Sequence, residues 1–83
     1  MRKISRHKGR KIVELERYLL TEEGVMEALH HPYQDNSKKV FNCLYGSNDP
    51  LNVLQIQTRT GLSISEINDV LYKFAKKGYV ETA

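Results

Sequence analysis

Over residues 52–82 the apolar positions follow a helical rhythm, break at a glycine, and resume for a longer run that a second glycine ends. The first stretch predicts a short amphipathic helix ending at Thr60, with Gly61 placed where a C-cap needs positive φ. Asn52 followed by Gln55 is a capping box for that helix, and Ser63 followed by Glu66 is a capping box for the next. The second stretch predicts a helix over residues 64–77, closed by Gly78 before the strand-favouring pair Tyr79 and Val80. At about 100° per residue, Ile67, Val70, Leu71 and Phe74 fall on one face of it, with Ile64 and Ala75 at the border. Two helices joined through such a turn make a helix-turn-helix, whose second helix is the usual groove reader.

Further back, Ile12, Leu15, Leu19, Met26 and Leu29 recur at heptad-like spacing, widened by Val13, Leu20 and Val25. This predicts an amphipathic N-terminal helix within residues 12–31, or a pair of helices meeting near 21–24 with Thr21 capping the second. The stripe would either dock on its own domain or form a homodimer, and the pattern leaves both open. Residues 30–36, with Pro32, read as a linker, because proline disfavours helix at the residue before it. Another helix is predicted over residues 37–45, with Val40, Phe41 and Leu44 inward, ending at Gly46. A short strand at Pro50 and Leu51 is expected to pair with Tyr79 and Val80. The domain proper is thus residues 36–83, preceded by a basic arm at 1–11.

The predicted fold is mainly α: a small winged-helix-like helix-turn-helix domain with an extra N-terminal helix and minimal β structure, its wing short or absent. Eighty-three residues suffice for one such core with little margin.

Charge sharpens the picture. The whole chain carries a formal +3. Arg2, Lys3, Arg6, Lys8, Arg10 and Lys11 give the first 11 residues +6 with no acid. The other 72 residues hold seven Lys and Arg against ten Asp and Glu, a net −3. A basic arm before a helix-turn-helix suits phosphate attraction, which needs charge but no fixed shape. On the outward face of the second motif helix stand Ser65, Asn68, Asp69, Tyr72, Lys73 and Lys76, with Lys77 following. Tyr72 has no packing reason within a lone helix-turn-helix, and is expected to stack on bases or sugars unless a wing or the N-terminal helix covers it. Asn68 offers donor and acceptor, and the lysines offer phosphate charge. Thr58 and Arg59 on the preceding helix add candidate backbone contacts. Asp69 and Glu66 oppose phosphate, so a protein-docking module on the same scaffold is the competing expectation.

The segment from Glu66 to Gly78, EINDVLYKFAKKG, resembles the recognition helix of Z-DNA/Z-RNA-binding winged-helix (Zα) domains. The resemblance spans about residues 37–81. It implies that Asn68 and Tyr72 contact the zigzag backbone and a syn guanine. The family carries lysine where this chain has Ile64, and a wing tryptophan supporting the tyrosine where this chain has none. The same segment is also similar to other bacterial and phage winged-helix proteins, including the C-terminal domain of DNA-processing (Smf-type) proteins.

Other chemistry finds little footing. There is no Gly-rich phosphate loop or carboxylate pair at catalytic spacing. His30 and His31 are adjacent, and the single Cys43 lies in an apolar run where a buried, unreactive thiol is expected, so neither suggests a metal site. No catalytic residue, metal or cofactor is expected, and the chain is expected not to be an enzyme. Without an apolar run long enough to span a bilayer or a signal-type segment, it is expected in the cytoplasm or on the nucleoid. The expected role is a small regulator of transcription or replication that binds double-stranded DNA.

Overall fold

A computed structural model describes residues 16–83. In chain order they form β1 (Arg17–Leu20), α1 (Glu22–His30), α2 (Asn36–Tyr45), β2 (Leu51–Asn52), α3 (Val53–Thr60), α4 (Ile64–Lys77) and β3 (Val80–Thr82). The helical bundle α2–α4 packs against a small antiparallel sheet of order β2-β1-β3.

The helix boundaries sit where the side chains put them. Asn52 accepts from Gln55 N at 2.8 Å while the Gln55 side chain accepts from Asn52 N at 2.9 Å. Ser63 and Glu66 repeat the exchange at 3.1 and 2.9 Å. Asp35 caps α2 by accepting from Lys38 N. Gly61 and Gly78 both have φ 79°, the left-handed conformation that ends α3 and α4. At Gly78 the ending is a Schellman motif: Tyr79 N donates to Phe74 O at 2.8 Å and Gly78 N to Ala75 O at 3.2 Å.

Ile67, Val70, Leu71 and Phe74 face inward as their spacing predicts, joined by Val40, Phe41 and Leu44 from α2 and Val53 and Ile56 from α3. Phe41 and Phe74 stack with centroids 4.1 Å apart, and the Tyr79 ring lies 5.9 Å from each. Cys43 is only half-buried against this core; partial burial raises the pKa of its thiol, and nearby Arg59 works against that.

The N-terminal region keeps the expected helix capped by Thr21, now α1, but residues 17–20 are not part of a helix before it. Residues 17–20 are a strand, and helix begins only after the Thr21 cap, so Leu19 is not part of a helical stripe; Ile12 and Leu15 lie outside the described residues. The expected pairing of residues 50–51 with 79–80 is also absent, because β1 lies between β2 and β3. Arg17 pairs with Asn52 on one side, and Tyr18, Leu19 and Leu20 pair with Thr82, Glu81 and Val80 on the other. One cause explains both departures. A helix over 17–20 would leave two short strands without partners, whereas a strand there joins them and points Tyr18 and Leu20 into the core.

Thr21 locks this N-terminal unit to the end of α4. Its hydroxyl donates to Gly78 O at 2.6 Å and accepts from Gly24 N at 3.0 Å, while its own N–H donates to Tyr79 O at 2.9 Å. Gly24 passes so close to the Tyr79 carbonyl that no side chain fits there.

Candidate nucleic-acid interface

The outward face of α4 divides into two flanks. At about 100° per residue, Asn68, Tyr72, Ser65 and Lys76 fall within an arc of about 80°. Asp69, Lys73 and Glu66 continue around the helix toward α2. There they line a cleft with Asp35, Asn36, Ser37 and Val70.

On the first flank Tyr72 is 66% exposed and is not covered by α1 or any other described element. Lys76, one turn on, holds its ammonium 5.2 Å from the centre of the Tyr72 ring. Asn68, one turn back, is half-buried; its Oδ1 is enclosed and has no hydrogen-bond partner among the described residues. An enclosed acceptor left without a donor costs roughly 1–3 kcal/mol. With that oxygen enclosed, it is the amide N–H groups of Asn68 that can meet a ligand at this surface. Ser65, Lys76 and Lys77 are exposed.

The second flank is acidic. The Glu66 carboxyl is held below its usual range by hydrogen bonds from Ser63, and Asp35 by the Lys38 amide and then His31. Both therefore stay charged at neutral pH beside Asp69. Lys73 lines this cleft together with the carboxylates and lies about 100° around α4 from Tyr72. Of the α4 lysines only Lys76 falls on the Tyr72 flank, while Lys73 and Lys77 fall on the acidic side.

Thr58 and Arg59 are exposed on α3, and the Thr58 hydroxyl donates to Leu54 O. The arm residues Arg2, Lys3, Arg6, Lys8, Arg10 and Lys11 lie outside the described residues. Of the partner stripe, Met26 and Leu29 are exposed on α1, at 58% and 57%, while Leu19 is half-buried in β1. His31 is more deeply placed than its linker position suggests. Its ring lies 3.1 Å from Asp35 and 3.7 Å from Glu27, with Phe41 behind it.

Sequence reasoning missed the enclosure of Asn68 Oδ1, which depends on tertiary packing. It also missed the Lys76–Tyr72 contact, although their i,i+4 spacing on one helix was a usable signal. Asp35, seen only as linker, closes the acidic cleft.

Compared with known protein families, residues 32–83 match the model described as the adenosine deaminase z-alpha domain. The match begins after α1, so β1 and α1 precede it. No curated protein and no solved structure matches the chain significantly.

Proposed function

The chain belongs to the z-alpha domain family of nucleic-acid-binding winged helices, and from that premise we propose that it binds left-handed duplex nucleic acid through the Asn68–Tyr72–Lys76 flank of α4. The observation that supports this most is the bare Tyr72 ring, one turn from an asparagine with an unpaired enclosed oxygen and one turn from a lysine.

In this reading Tyr72 gives its ring to a base or sugar, worth about 1–3 kcal/mol per stacked base by alanine substitution. Asn68 donates to a backbone phosphate from its amide nitrogen. Ser65 adds a contact on the flank, and Thr58 and Arg59 add backbone contacts from α3. The basic arm supplies sequence-independent attraction that weakens with salt. The acidic flank keeps phosphate to the Tyr72 side. The domain acts by binding alone, as a module and not an enzyme. Regulation of transcription or replication is the role we assign it.

A shift map of the amide resonances tests this reading. With alternating CG duplex at two ionic strengths, perturbations should centre on Asn68, Tyr72 and Lys76 and shrink at the higher salt. Shifts confined to the Asp35–Glu66–Asp69 cleft or to α1, insensitive to salt and produced only by a protein ligand, would favour docking instead. The acidic cleft is the one observation in favour of that second reading. Homodimerisation through Met26 and Leu29 is a separate proposal, and sedimentation of a Leu29→Glu variant beside the parent protein decides it.

A further inference from the structure

On an exposed helix face a tyrosine ring can swing between rotamers, and each binding event must then choose one. Tyr72 has no hydrogen-bond partner among the described residues and is 66% exposed, so packing alone does not hold it. Its one specific neighbour is the Lys76 ammonium, 5.2 Å from the ring centre. Helical side chains lean toward the N-terminus, so the residue at i+4 naturally reaches over the ring at i. Lys73 and Lys77, neighbours in sequence with the same charge, make no such contact, and Lys73 turns to the acidic cleft instead.

We propose that Lys76 is a positioning residue for Tyr72. Its ammonium covers one face of the ring and confines the nucleotide to the other, making a one-sided stacking platform. The inference rests on the proposed function and deepens it, because it assigns Lys76 to the ring first and to phosphate second. Two consequences separate it from an ordinary phosphate contact. The effect of removing Lys76 depends on Tyr72 being present. It also exceeds the effect of removing Lys77, a lysine of the same helix about 140° around from Tyr72 that does not touch the ring.

The experiment combines one measurement on the free protein with one on binding. In the free protein the Lys76 Hε resonances should lie upfield of those of Lys73 and Lys77 because of the Tyr72 ring current, and Tyr72→Ala should abolish the difference. In a double-mutant cycle with alternating CG duplex, Lys76→Gln should weaken binding about 2- to 30-fold more than Lys77→Gln. On the Tyr72→Ala background the loss from Lys76→Gln should shrink while that from Lys77→Gln stays the same, and in the parent protein Lys76→Arg should retain most of the affinity because guanidinium also sits over aromatic faces. All these positions are exposed, so circular dichroism should show unchanged helix content. Absence of the upfield shift overturns the proposal. So does an additive cycle in a protein that binds normally. If the wild-type chain binds no duplex at all, the proposed function fails and this inference falls with it.

Discussion

Tyr72 is the residue on which the functional reading turns, because its cost is visible. A large aromatic side chain left two-thirds exposed gains nothing for the fold. Tyr72→Ala should leave stability nearly unchanged while weakening duplex binding roughly 5- to 150-fold, the equivalent of one lost stacking contact. Tyr72→Phe should keep most of that affinity, since the ring face is retained. Titration calorimetry beside thermal melts of the same variants checks both halves. Gly24 is the opposite kind of residue, silent in function and exacting in structure. Its backbone lies against the Tyr79 carbonyl, so Gly24→Ala must push β1 and α1 away from the end of α4. A loss of about 1–3 kcal/mol is expected, read as a lowered midpoint in urea with an unchanged slope.

At the scale of elements, α4 carries the proposed site and its start is set by the Ser63–Glu66 capping box. Ser63→Ala should cost about 1 kcal/mol by leaving an amide at the first turn unpaired. The box also ties stability to pH. The folded-state pKa of Glu66 is lowered, as is that of Asp35 at the start of α2, so each prefers to ionise in the folded chain. Their contributions are therefore complete above the ordinary carboxylate range, and they disappear as pH falls through the lowered folded values. Melting temperature should hold steady at neutral pH and drop on acidification through that window. Glu66→Gln, which can still accept from the Ser63 amide, should flatten the drop.

The helix-turn-helix was legible in the sequence because its signals are local. Glycines at the two left-handed ends, paired capping boxes and the Ile67–Phe74 stripe each act within a few residues and agree with one another. Residues 17–20 were not legible as a strand. Four residues adjoining a heptad-like run give too short a period-2 signal, and what decides them is pairing with two strands more than 30 residues away in sequence. The exposed Tyr72 could be placed on the outer face from periodicity alone. The acidic cleft that Lys73 lines could not, because it follows from how α2 brings Asp35 alongside α4.

Across the whole molecule, charge is divided along the chain: residues 1–11 carry +6, and the remaining residues, net acidic, carry the proposed binding face. Removing residues 1–11 should weaken duplex binding at low salt and make the dependence of log K on log salt shallower by up to about five, near 0.9 per cation that meets phosphate. Preference for the left-handed form should survive that deletion, because α4 carries it. The central claim is that this face holds duplex in its left-handed form, and circular dichroism of alternating CG duplex titrated with the full chain tests it most directly. The bands above 250 nm should invert as protein is added, and Tyr72→Ala should prevent the inversion. A duplex that becomes fully bound while keeping its right-handed spectrum would contradict the account.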